Sequence, residues 1–115
     1  MTVDVAEVRG VPVAHVAGVL DVTSADDLAS AVLKILPNAA PGLIVDLTEL
    51  THLDSAGLRV LFRTARRLEE RQQQLRLVVR PDTLVEDLLS ANDVGAYAPL
   101  DNALDDAVAE LVRPA

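Results

Sequence analysis

Leu43-Ile-Val-Asp-Leu-Thr-Glu-Leu-Thr-His-Leu-Asp-Ser-Ala-Gly-Leu58 is the stretch whose reading decides the fold. Leu43 to Leu47 is a near-continuous apolar run, the pattern of an interior parallel strand covered on both faces. Thr48 to Leu53 reads as a short polar loop. Asp54-Ser55-Ala56-Gly57 then opens a helix that runs from about Ala56 to Arg71. Such a turn sets a serine hydroxyl at the positive end of a helix dipole, beside a carboxylate. The neighbouring glycine leaves room for another molecule to approach. This arrangement suits a serine that receives a phosphate better than one that attacks a substrate.

Working outward, the same alternation of strand and helix recurs along the chain. Val3 to Val8 alternates and ends at Arg9-Gly10, so it predicts a strand leading into a hairpin. Val11 to Leu20 follows as a longer strand, with Pro12 pointing to an edge or an irregular start. Ser24 is placed to cap a helix whose Asp26 and Asp27 favour the N-terminal dipole. Leu28, Val32, Ile35 and Leu36 form its buried stripe, and Pro37 ends it. After the central helix, with Leu58, Leu61, Phe62, Ala65 and Leu68 on one face, Leu75 to Val79 is the next strand. A third helix follows Pro81 with Leu84, Val85, Leu88 and Leu89 inward. Asn92 to Gly95 is a turn, and Ala96 to Leu100 a short strand. Asp101 is expected to cap a last helix packed through Leu104, Val108, Leu111 and Val112. The order β-β-α-β-α-β-α-(β)-α implies right-handed crossovers and a mostly parallel sheet with a mixed edge from the first hairpin.

Composition bounds the rest. A chain of 115 residues has room for one domain and one core, here residues 1–115. Half of it is hydrophobic but only 2% is aromatic, so the core is aliphatic. No apolar run approaches the ~20 residues that span a bilayer, and the first residues lack the order of a signal peptide. A soluble cytoplasmic protein with no membrane partner is expected. The absence of cysteine excludes a disulfide frame and a thiolate metal site. A net charge of −8 argues against nucleic acid as a partner. The charge is uneven: Arg59, Arg63, Arg66, Arg67 and Arg71 hold half of the 10 basic residues, whereas Asp82 to Glu110 contains acids and no base.

Three readings compete for Ser55. As a helix N-cap its hydroxyl satisfies an orphan backbone N–H, worth ~1 kcal/mol. As a hydrolase nucleophile it has His52 and Asp54 nearby. However, Leu53 stands where a nucleophile elbow needs its first glycine, and near-adjacent residues hardly assemble a triad. As a phosphoacceptor it would present a dianion to free N–H groups and the helix dipole. His15 and His52 are separated and lack a spaced carboxylate cluster, so no metal ligands are assigned. No phosphate-binding glycine loop is present, and no catalytic residue or cofactor is assigned. Asp46, interrupting an apolar strand, either points outward or pairs with a donor. The arginines recur at helical spacing opposite the Leu58 stripe, either as a solvated face or as an electropositive ridge that docks an acidic partner.

Asp54-Ser55-Ala56-Gly57-Leu58 after Leu43 to Leu47, with Gly18-Val-Leu-Asp21 upstream, resembles the STAS domain of bacterial anti-sigma factor antagonists. The resemblance covers nearly the whole chain. It implies a single α/β domain with a mixed, mostly parallel sheet of four to five strands and about four helices. It also implies that Ser55 is phosphorylated by a partner that is both anti-sigma factor and serine kinase, which brings ATP as its own cofactor. A serine phosphatase would reset the switch. Asp21 matches an acidic residue near the phosphosite that takes part in partner binding, and Asp54, Ala56, Gly57 and Arg59 complete the expected partner-binding set. The chain departs from the family where many members have a second Ser or Thr, here Ala56, and where many have a polar residue, here Val19. On this reading the protein binds rather than catalyses. The alternatives are a scaffold subunit of a lipid-transport or stress-signalling assembly, and a small serine hydrolase or weak nucleotide-hydrolysing domain.

Overall fold

The computed structural model describes residues 1–113; Pro114 and Ala115, at the end of the expected domain, lie outside the described residues. Strands β1 (Thr2–Val8), β2 (Val11–Leu20), β3 (Gly42–Leu53), β4 (Gln74–Val78) and β5 (Leu100–Asp101) form one sheet in chain order. β1 pairs antiparallel with β2, and every later pair is parallel. Helices α1 (Ala25–Ile35), α2 (Ser55–Glu70), α3 (Leu84–Ala91) and α4 (Leu104–Val112) make the crossovers and the C-terminal cover. This is the expected α/β architecture, with the hairpin supplying the mixed edge.

The apolar run at the head of β3 explains the layering. Leu43, Val45 and Leu47 face the larger core with Leu28 and Val32 of α1, Leu61 and Leu68 of α2, and Leu89 of α3. Ile44 points the other way, to a smaller core with Val13, Val78 and Val108 of α4. Ile44 and Val45 are both buried, as a strand covered on two faces requires.

Several local expectations are corrected. β3 does not stop at Leu47 but runs to Leu53: Leu50 and Leu53 still turn inward while Glu49, Thr51 and His52 stay exposed. The polar residues that read as a loop are the open face of a strand. β2 is interior, between β1 and β3, so Pro12 sits near a strand start rather than on an edge. In α3 only Val85 and Leu89 are buried; Leu84 is 80% exposed and Leu88 is also exposed. The segment read as a strand from Ala96 begins as a 3-10 turn at Val94–Ala96, and β5 starts only at Leu100. Asp101 does not cap α4, whose cap position is Ala103; its carboxylate instead takes two hydrogen bonds from Arg76 at 2.8 and 3.1 Å.

Candidate functional site

The site lies where the C-terminal ends of β2 and β3 meet the start of α2. Leu20 pairs with Leu53 at the last rung, and Asp54 N–H donates to the Leu20 carbonyl at 3.3 Å. Gly57 fits against this junction because it has no side chain. A Cβ there would stand 2.8 Å from the Leu20 carbonyl oxygen and 2.6 Å from Leu53 Cδ1. The glycine of the Asp54–Leu58 motif therefore serves close packing of helix on strand; it is buried, and the room expected there for another molecule is taken by Leu20 and Leu53.

The cap of α2 is Asp54, not Ser55. Asp54 Oδ1 accepts from Gly57 N–H at 3.0 Å, in extended backbone. A carboxylate in that place satisfies an orphan donor and sits at the positive end of the dipole. Ser55 is thus relieved of the capping role and becomes the first helical residue, with an exposed side chain.

Asp21, one residue past the end of β2, is held in a tight turn. Its Oδ1 accepts from Thr23 N–H at 2.9 Å and from the Thr23 hydroxyl at 2.7 Å. The Thr23 hydroxyl, then the Thr23 backbone N–H, hold the Asp21 carboxyl below the usual carboxylate range. Ser24 occupies the cap position of α1 but makes no side-chain cap. Its hydroxyl accepts from Asp21 N–H and donates to the Val19 carbonyl, both at 3.0 Å, and so shapes the Asp21 turn. Gly18, with a φ of +95°, stands at a register shift between β2 and β3 and sets the course of the residues leading to this turn.

The structure therefore brings Asp21, Asp54, Ser55, Ala56 and Gly57 to one end of the sheet. Arg59 joins them one helical turn on. Ser55, Arg59, Arg63 and Arg66 line one shallow depression of about 400 Å³ over Leu58 and Phe62. Arg63 comes only within 3.9 Å of Asp26, and among the described residues Arg59, Arg66 and Arg67 make no ion pair. His52 belongs to a different depression, of about 450 Å³, with Leu84 and Leu88. It does not line the depression that holds Ser55.

Sequence reading missed two features. Leu84 and Leu88, together with Val19 and the 74% exposed Val22, place apolar side chains on the surface at or near this end. Nothing in an i, i+4 apolar pair distinguishes such a surface from a core stripe. His15 Nδ1 lies 2.8 Å from Asp46 Oδ2, across the β2–β3 ladder, and Asp46 Oδ1 accepts from Thr48. That pairing resolves Asp46 as partnered, and depends on a register that spacing alone does not reveal. Among the described residues no group of His, Cys, Asp and Glu is arranged to hold a metal ion, and no helix is long and apolar enough to cross a membrane.

A family model described as the STAS domain matches residues 2–107. The chain belongs to the STAS domain family. This STAS domain is similar to the crystal structure of an anti-sigma factor antagonist from Mycobacterium paratuberculosis, at 27% identity and a TM-score of 0.84, over 96% of this chain and 92% of that one. An anti-sigma factor antagonist (STAS) domain protein from Planctomyces limnophilus matches at 19% identity and a TM-score of 0.78, over 96% and 97% of the two chains. The anti-sigma factor antagonist SpoIIAA in its unphosphorylated form matches at 16% identity and 0.77, over 99% of each chain. At the two lower identities the likeness shows the fold alone. A search of curated protein sequences finds no match.

Proposed function

We propose that this STAS domain is a cytoplasmic anti-sigma factor antagonist that acts by binding, not by catalysis, and is switched by phosphorylation of Ser55. In its unphosphorylated form it captures an anti-sigma factor that is also a serine kinase, and so frees a sigma factor. One observation carries the reading: Asp54 takes over the capping of α2, which leaves the Ser55 hydroxyl exposed at the helix start beside the Asp21 turn. The similarity to an anti-sigma factor antagonist at 27% identity supports the partner class.

In the switching step the Ser55 Oγ–P bond forms as the bond from the γ-phosphorus to the bridging oxygen of the kinase's ATP breaks. ADP leaves, and the hydroxyl proton passes to a base of the kinase. The product carries about −1.5 to −2 charge in a loop that already holds Asp54 and lies near Asp21. In the free protein, water and the backbone N–H groups of α2 solvate the phosphate, so the fold survives. At an interface shaped for a hydroxyl the dianion is desolvated without a partner, at a cost of several kcal/mol, or orders of magnitude in affinity. A serine phosphatase then restores the binding form.

The test is intact mass after incubation with ATP and the anti-sigma kinase, followed by calorimetry on two variants. Ser55→Ala is expected to bind the partner and gain no phosphate. Ser55→Asp is expected to stay folded and bind at least tenfold more weakly. Equal affinity of Ser55→Asp and wild type would overturn the switch and leave Ser55 as a first-turn helix residue.

A further inference from the structure

Arg59 is the cation nearest to Ser55 along α2, and its position relative to that serine is more specific than a general basic face. The two residues are four apart, both are exposed, and both line the same depression. Side chains on a helix lean toward its N-terminus, so a residue at i+4 extends back over residue i. An anion placed N-terminal to a cation at this spacing is the favourable order. Arginine suits a phosphate in particular, because its planar fork gives two parallel charge-assisted hydrogen bonds. Arg59 makes no ion pair among the described residues, so no existing bond has to break.

We propose that, once Ser55 is phosphorylated, Arg59 folds back onto the phosphate and closes an ion pair within α2. The inference rests on Ser55 being the phosphoacceptor. Its consequence is a switch with two parts: the modification adds a dianion at the helix start and also withdraws a cation from the partner-facing ridge. A partner that reads Arg59 in the unmodified protein loses that contact in the same step that repels it.

Distance decides which arginine acts. Arg63 is eight residues from Ser55, about 12 Å along the axis, two turns away rather than one, so it reaches the serine less directly than Arg59 although both line the depression. It also has Asp26 within 3.9 Å. Arg66 lies farther still. The Asp54 and Asp21 carboxylates stay anionic while they accept bonds from Gly57 N–H and Thr23, so they oppose the dianion, but equally in the parent and in every arginine variant. His52 lies in the other depression.

The experiment uses the full chain with phosphoserine incorporated at position 55 during translation, so no kinase is needed. Phosphorus-31 NMR then follows the second ionisation of the phosphate, about pH 6 in a model compound. The same phosphoserine in a peptide of the Leu50–Val60 sequence is the reference. A neighbouring cation favours the dianion, so the midpoint in the folded protein is expected to fall by roughly half to one unit. Arg59→Gln should lose at least half of that fall, Arg59→Lys should keep part of it, and Arg66→Gln should keep all of it. Arg59→Gln titrating like the parent, or Arg66→Gln losing as much as Arg59→Gln, would overturn the ion pair. Melting curves of the unphosphorylated variants verify that each is folded. Because no kinase enters the measurement, a negative titration leaves the proposed switch standing, and a kinase that ignores Ser55 leaves the titration valid.

Discussion

On the β4–β5 side of the sheet, Arg76 is clamped to Asp101 by two hydrogen bonds, and both side chains are only 11% exposed. Along α2, Arg59, Arg63, Arg66 and Arg67 stand in solvent, and the approach of Arg63 to Asp26 at 3.9 Å is the one acid contact among the described residues. The first arrangement ties β5 to β4 where only two rungs of strand pairing do so. It is a structural use of arginine. The second contributes almost nothing to stability, because exposed pairs are screened and conformationally costly. A protein of net charge −8 thus gathers four of its 10 basic residues on one exposed face of α2, a local positive surface in an otherwise acidic chain. Partnered charge between β4 and β5 braces the fold, whereas the charge along α2 beside Ser55 is left to solvent.

The sharpest break in that comparison is Asp101→Ala. It leaves the nearly buried Arg76 guanidinium without its counter-charge and is expected to cost about 3 kcal/mol, read as a fall in the urea midpoint. A loss no larger than that of an α2 arginine would erase the distinction between the two regions. Gly57→Ala comes next. The new methyl meets the Leu20 carbonyl oxygen, which belongs to the β2–β3 ladder and cannot swing away. Overpacking at such a junction costs about 2 kcal/mol, and a spectrum of Gly57→Ala should show shifts concentrated at Leu20, Leu53 and Asp54.

A third change tests the other side of the contrast. Arg63→Gln with Arg66→Gln should leave stability within about 0.5 kcal/mol of wild type. The same pair should slow association with the anti-sigma partner several-fold at low salt, and less at high salt, as loss of steering predicts. Unchanged association rates across salt would mean that the ridge is only a solvated face. The smallest effect is expected at Asp21→Ala. The folded carboxyl titrates below its ordinary value of 3.8, so its contribution is present above that pH and is lost as pH falls through the folded value. Melting curves of wild type and Asp21→Ala should therefore differ slightly at pH 7 and converge in strong acid. A difference that grew toward low pH would contradict the Thr23 bonding of the carboxylate.

Much of this molecule is legible without coordinates. The near-continuous run at Leu43 to Leu47 read as a strand covered twice, and the stripes Leu28–Val32 and Leu61–Leu68 recur at the helical period. The Asp54–Leu58 motif located the site. The failures share a cause. Thr48 to Leu53 looked like a loop because a strand open on one face carries polar residues at irregular intervals where its register shifts. Leu84 and Leu88 looked inward because periodicity reports which residues share a face, not whether anything covers it. Asp101 looked like a cap because an acid before a helix usually is one; its partner lies 25 residues earlier, on a neighbouring strand.

By itself, the sequence determined what is local: the alternation of strands and helices, the aliphatic core, the serine that follows an aspartate at a helix start, and the gathering of arginines on one helix. Periodicity, propensity and charge are properties of short windows, and short windows are what a chain displays directly. Tertiary structure decided what depends on two distant segments meeting. It joined the Leu20 carbonyl to Asp54, brought the Asp21 turn to the Ser55 end, paired His15 with Asp46 and Arg76 with Asp101, and left the arginine face of α2 uncovered. It also moved the cap from Ser55 to Asp54, because the extended end of β3 points the Asp54 carboxylate at Gly57 N–H and leaves the serine hydroxyl facing solvent.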